Sequence, residues 1–309
     1  MRKIPALFAA TALVATLSAC TAARPATIDG CTLAYDGGST VDLVSATGAL
    51  GAAPEVDFPT PLVTDGAQRA TLVEGSGTRA VEGSQVAAEF TIYAGGAVVP
   101  LGGTSYDASS PTLIPADTEN PVPTALICAQ AGERFALTMS AAEAYGEGTL
   151  ETSGIADDET LVFVFDVAAV YLGKADGVNQ LPVDGMPTVV TAVDGTPGIS
   201  VPSSAPPTEL QIATIKLGGG ATVAEGDQIV AHYSVWNWPA AGGEATASTS
   251  SWSEGTAATF TVSSDELPEG FLAAVTGANV GSQLLVVSPP AAEGEANSIM
   301  VIDVLGIVE

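Results

Sequence analysis

The chain has 309 residues, room for two domains behind a targeting segment. A hydrophobic fraction of 47% supplies packed cores and excludes a wholly disordered chain. Eight Lys and Arg against 35 Asp and Glu give 8 − 35 = −27, a charge that sets the protein against nucleic acid and anionic lipid surfaces.

In chain order, Arg2 and Lys3 form a positive start, and Ile4 to Leu17 carry no charge. That run suits a signal-peptide core and falls short of the roughly 20 apolar residues of a spanning helix. Residues 1–20 are therefore read as a signal peptide. Leu17-Ser18-Ala19-Cys20 resembles a bacterial lipobox, which implies lipidation of Cys20 as the new N-terminus. The expected location is the outer face of the cytoplasmic membrane, held by acyl chains alone. Loss of Arg2 and Lys3 makes the exported charge 6 − 35 = −29. Residues 21–53, rich in Ala, Gly and Thr, are expected to form a tether with little structure of its own. Cys31 and Cys128 are an even pair in an oxidising compartment, read either as a disulfide or as two buried thiols.

Beyond the tether the chain repeats itself. Residues 74–93 (EGSGTRAVEGSQVAAEFTIY) align with 217–236 (LGGGATVAEGDQIVAHYSVW) at one offset of 143. Gly75, Gly77, Gly83 and Phe90 fall against Gly218, Gly220, Gly226 and Tyr233. Two homologous domains are expected, near 54–174 and 182–309, with a polar linker from Lys174 to Pro182. Each copy reads as strand, turn, strand, irregular loop, short helix, strand, loop and long final strand. Helices are expected over Pro123 to Gln130 and Glu269 to Thr276. The order predicts an α+β fold, an antiparallel β-sheet wrapped around a short helix in each domain. By alternation His232 points away from Tyr233, to a structural or surface place. Trp236, Trp238 and Trp252 are a candidate surface cluster.

These residues resemble the FKBP-type peptidyl-prolyl cis-trans isomerase family. The second copy carries GGATVAEGDQIVAHY over 219–233, SSW at 250–252, ATFTV at 258–262, EGF at 269–271 and MVIDVL at 300–305. The first carries AGER at 131–134, SAAEAYG at 140–146 and LVFVFDV at 161–167. With the lipobox, the chain is similar to exported lipoprotein isomerases of high-GC Gram-positive bacteria. The resemblance implies two FKBP-like domains and isomerase activity on proline-containing unfolded or exported polypeptides, without cofactor or metal, in a monomer. Its alternative is a non-catalytic, peptide-holding lipoprotein of the same fold.

The resemblance also implies a pocket in the second copy. Tyr233 is its strand tyrosine, Phe260 a wall, Phe271 the floor, Leu267 and Pro268 the loop at the substrate carbonyl, and Ile302 the last-strand position. Ser248-Thr249 departs from the family's Phe-Asp pair. In the first copy the matching candidates are Phe90, Tyr106, Asp107, Val122, Tyr145 and Phe165. There Phe90 stands for the strand tyrosine and Val122 for the floor aromatic.

Overall fold

The computed structural model describes residues 27–28, 30–107, 112–240, 243–290, 292 and 294–308. The signal segment and Cys20 lie outside the described residues. Two short ribbons come first, β1 (Thr27–Ile28) with β2 (Cys31–Thr32) and β3 (Ser45–Thr47) with β4 (Glu55–Asp57). The first large sheet contains β5 (Gln68–Val73), β6 (Gln85–Ala94), β7 (Ala97–Gly103), β8 (Leu113–Pro115), β9 (Arg134–Ser140) and β10 (Thr160–Tyr171). Its order is β5-β9-β10-β6-β7, with β8 also on β6. Short helices α1 (Pro121–Thr124) and α2 (Ala141–Tyr145) flank β9.

The second half repeats the plan. β11 (Val178–Asn179) joins the second large sheet, and β12 (Thr188–Thr191) pairs with β13 (Pro197–Ser200). β14 (Gln211–Leu217), β15 (Gln228–Asn237), β16 (Ala247–Ser250), β17 (Ala258–Thr261), β18 (Gln283–Ser288) and β19 (Ser298–Val308) follow, with α3 (Glu269–Val275) between β17 and β18. The order is β11-β14-β18-β19-β15-β16, with β17 also on β15. Every pairing is antiparallel, so the chain has the α+β architecture read from the sequence.

Each large sheet is buried on both faces, which explains the unbroken apolar run Leu161 to Phe165. Phe135, Leu137, Phe163 and Phe165 pack with Leu126 on the helix side. Ala136, Val162, Val164 and Tyr93 meet Val41, Val44, Phe58 and Leu62 on the other. The expectation of a loose tether at 21–53 is thereby corrected for its described part. Fully burying side chains such as Val41 and Val44 contributes about 1.5–3 kcal/mol each, and Cys31 is joined to Cys128 by a disulfide. In the second half Met186, Val189, Ile199 and Val201 cover Ala213, Leu285, Ile299 and Val301 in the same way. The covering ribbons obey the repeat, β3 starting at 45 and β12 at 188, with 188 − 45 = 143.

The proposed linker is also corrected. Ala175 is buried, its N–H donates to Asp303 Oδ2 at 2.8 Å, and β11 is hydrogen-bonded to β14, so Lys174 to Pro182 belongs to the second sheet's edge. The expected helix over 123–130 shrinks to α1. Past α1 the chain tightens into i→i+3 bonds from Ala125, Leu126 and Ile127, and Cys128, with φ +70°, ends helical geometry. α2 falls where the sequence was read as loop. Its signal is the capping box Ser140-x-x-Glu143, in which Ser140 Oγ accepts from Glu143 N–H and Glu143 accepts in return.

The two halves meet along an apolar cluster. Tyr171, Leu172 and Leu113 of the first pack against Val230, Ala257 and Leu305 of the second. Gly306 permits the close approach, since a Cβ there would lie 2.2 Å from Tyr171 Cδ1. The Gln85 carboxamide accepts from Ala257 N–H at 3.2 Å, and its nitrogen lies 3.5 Å from His232 Nε2. His232 is a buried structural residue, stacked on Trp252 with ring centroids 3.9 Å apart. The three tryptophans form no common patch. Trp236 on β15 and Trp238 just past its end are buried with the residues of the β12–β13 cover, and Trp252 stacks on His232.

Candidate functional site

On β15, Ile229, Ala231, Tyr233 and Val235 alternate onto the helix face of the second sheet. Three further elements bring side chains to Tyr233. Ile302 of β19 is its direct cross-strand partner. β17, paired with the start of β15, supplies Phe260. α3 supplies Phe271, and lies close on β18 because residue 270 is glycine; a Cβ there would meet Ser288 Oγ at 2.4 Å and Val286 Cγ1 at 3.1 Å.

The three rings converge. Phe260 and Phe271 have centroids 5.1 Å apart, Tyr233 and Phe260 5.6 Å, and Tyr233 and Phe271 6.5 Å, the last two edge-on. These are ring-contact spacings. Phe271 is only 4% exposed, and Leu267 and Ile302 are buried. Tyr233 and Phe260 are half-buried and Pro268 is exposed. The members of the set that reach solvent are therefore Tyr233, Phe260 and Pro268. Such a set can hold a proline ring and exclude water from its imide. A deeper seat requires the Phe260 or Tyr233 ring to swing aside.

The first sheet's equivalent face is filled differently. Phe165, opposite Phe90 on the ladder, stacks on Phe135 at 4.9 Å and lies 6.2 Å from Phe163 and 5.3 Å from Phe90. The corresponding rungs of the second sheet are aliphatic, Ile302 beside Leu284 and Met300 beside Val286. Phe165 is thus core, and Phe90 and Val122 pack at the edge of that core. Tyr145 on α2 is 44% exposed, 6.4 Å from Phe163.

Tyr106 is a correction. Its hydroxyl lies 3.0 Å from Thr91 Oγ1 and its N–H donates to Glu89 Oε2. Thr91 and Glu89 alternate with Phe90, so Tyr106 sits on the opposite face of the sheet, where burial pushes its phenol up to about 12. Asp107 beside it is exposed. The first copy's six candidates therefore do not line one pocket.

Sequence reasoning missed the buried polar rungs beneath the covers. Arg134 pairs with Asp166 through Nε at 2.5 Å and Nη2 at 2.7 Å, and donates to the Gly48 and Ala49 carbonyls of the cover. Asp166 also accepts from Gly51 N–H. In the second sheet the same rung holds Gln283, whose Nε2 donates to Asp303 Oδ1 at 2.8 Å. Burial pushes the Asp303 carboxyl up, while hydrogen bonds from Ala175 and Gln283 and the nearby Lys216 oppose the shift. Arg69, buried above the Phe135 ring at 4.0 Å, pairs with Glu133 at 2.7 Å. The one legible signal was the order of charged residues in AGER and FDV.

Residues 219–299 match the FKBP-type peptidyl-prolyl cis-trans isomerase family. That segment contains Tyr233, Phe260, Leu267, Pro268 and Phe271. The chain is similar to a structure of the three FKBP domains of wheat FKBP73 (15% identity, 80% of this chain and 98% of that one, TM-score 0.32). It is also similar to a putative peptidyl-prolyl cis-trans isomerase, FKBP12, from Mycobacterium tuberculosis (25% identity, 33% and 87%, TM-score 0.26). A third similar structure is FkpA from Escherichia coli (20% identity, 34% and 47%, TM-score 0.28). No curated protein matches the chain.

Proposed function

We propose that the second half of the chain is a peptidyl-prolyl cis-trans isomerase that takes proline-containing segments of unfolded, exported polypeptides at the Tyr233–Phe260 face. The supporting observation is the convergence of Tyr233, Phe260 and Phe271 inside the segment that matches the isomerase family. Planarity of an X–Pro imide is held by a barrier of about 18–20 kcal/mol. Rotation breaks no covalent bond, so no nucleophile is needed. The protein has only to bind the twisted imide better than either planar form, each 1.36 kcal/mol of difference giving about tenfold in rate. The half-buried rings of Tyr233 and Phe260 would hold the pyrrolidine, with Pro268 at the rim and Phe271 and Ile302 fixing the floor. Export and lipid attachment at Cys20 would place this activity at the outer face of the cytoplasmic membrane. The first half, its ring face filled by Phe135, Phe163 and Phe165, serves as a scaffold.

A protease-coupled proline-peptide assay on the full chain tests this. Catalysis above the spontaneous rate is expected, falling at least about tenfold in Tyr233→Ala and Phe260→Ala, with melting temperature as the fold control. No acceleration by the unaltered chain would end the reading. A second reading, a non-catalytic holder of unfolded chains, is favoured by the mutual closure of the three rings. It predicts suppressed aggregation of a reduced client without faster isomerisation.

A further inference from the structure

Where the β12–β13 cover meets β11 and β14, a groove of about 510 Å3 lies half open to solvent. Small-molecule sites commonly enclose roughly 300–1,000 Å3. It lies on the face opposite the three rings, because Ala213 and Leu285 on its floor pack with Trp236, whereas Tyr233 packs with Phe271. Met186 and Thr191 line it from the cover, and Lys216 and Gln283, cross-strand partners, from the sheet.

The lining has a chemical bias. The chain carries 35 acidic residues against 8 basic, yet no lining residue is acidic; Lys216 is the lining's one cation, and the acid it already acts on, Asp303, lies outside the lining. One ammonium hydrogen of Lys216 goes to the Ala175 carbonyl at 2.9 Å, which leaves two donors. The Gln283 amide is already used, its nitrogen on Asp303 and its oxygen accepting from Thr191 at 3.2 Å. In the first sheet the equivalent rung is Val73 with Arg134, whose guanidinium reaches across to the cover and fills the layer. Gln283 is shorter and turned to Asp303, and the cation has moved one strand over, to the groove wall.

We propose that this groove binds a single-chain carboxylate amphiphile, its carboxylate at Lys216 and its alkyl chain along Val183, Val189 and Ile215, beside Met186. The site is separate from the ring face and does not depend on isomerase activity. The test is methyl NMR of the full chain labelled at methionine, titrated with decanoate below its micellar range. Saturable movement of the Met186 methyl is expected while Met139, in the first half's core, stays fixed. Lys216→Met should weaken decanoate about tenfold or more, its fold checked by unmoved Met139 and Met300 signals. On the unaltered chain, decyltrimethylammonium should leave Met186 where it is. A Met186 signal indifferent to decanoate, equal affinity in Lys216→Met, or an equal response to the cationic probe would each overturn the proposal.

Discussion

His232 is the chain's single histidine, which makes its titration readable without assignment ambiguity. It is 2% exposed, pressed on the Trp252 ring, with Nδ1 2.8 Å from Ser251 Oγ and Nε2 facing the Gln85 amide from the other half. Its cross-strand partner is Asp303, whose carboxylate is turned to Ala175 and Gln283. Burial lowers the imidazole from 6.5 to about 4. Between those values the unfolded chain binds a proton that the folded chain refuses. The stability held by neutral His232 is therefore complete above 6.5 and is lost as pH falls toward 4, by about 3 kcal/mol in all. Two measurements check this. The imidazole Hε1 resonance should show no midpoint near 6.5. The stability advantage of the chain over His232→Gln, from urea unfolding, should shrink by about 3 kcal/mol between neutral pH and a pH of about 4. The difference is needed because Asp303, raised from 3.8, has the opposite dependence over an overlapping range. An imidazole that titrates near 6.5 would refute the reasoning, as would a difference that does not change with pH.

The two buried aspartates should respond oppositely to the same change. Asp166→Asn leaves the Arg134 guanidinium without its charge partner and should cost about 3–5 kcal/mol in urea unfolding. Asp303→Asn keeps an acceptor for Ala175 N–H and removes a desolvated charge, so at neutral pH stability should hold or rise. Because the Asp303 carboxyl is raised, its contribution is largest at low pH and lost as pH climbs from 3.8 through the raised value; the Asn variant should lack that decline. Equal losses in the two variants would contradict the comparison. Replacing Cys31 and Cys128 together by Ser opens a loop spanning 97 residues and should lower stability by up to about 4–5 kcal/mol in the loop-entropy account, read as a fall in melting temperature that reduction reproduces in the unaltered chain and does not deepen in the variant.

The large sheets were legible because their strands alternate or run continuously apolar, and because the repeat gave two readings of each. Parity alone put His232 opposite Tyr233. The covers were not legible. Val41 and Val44 fall in the short run VDLV, and Phe58 and Leu62 in the proline-broken DFPTPLV, so no strand or helix period marks them; only the opposite wall of Val162 and Val164 makes them core. The same holds for Lys174 to Pro182, whose polar groups are drawn in by Asp303 and Lys216 from more than forty residues away in the chain. At the candidate site, motif order identified Tyr233, Phe260 and Phe271 as neighbours. It failed at Tyr106, because a residue that leaves the edge of a sheet can return to either face. The outcome there is set by the Glu89 carboxylate that takes its N–H.

The duplicated frame gives a physical reason for assigning different work to the halves. At equivalent rungs the first sheet carries Phe135, Phe163 and Phe165 on one face and the Arg134–Asp166 pair on the other, all closed to solvent. Its ring stack and bidentate ion pair over-determine one packing, which suits a support. The second sheet has aliphatic residues at the ring rungs and Gln283, Asp303 and His232 at the polar ones. Tyr233 and Phe260 stay half-buried over the aliphatic floor, as Phe90 does over the ring stack of the first sheet, and the Gln283 amide is closed between Thr191 and Asp303. The two sheets are tied to each other through Gln85, Tyr171 and Leu172, so a change in the packing of one edge bears directly on the other.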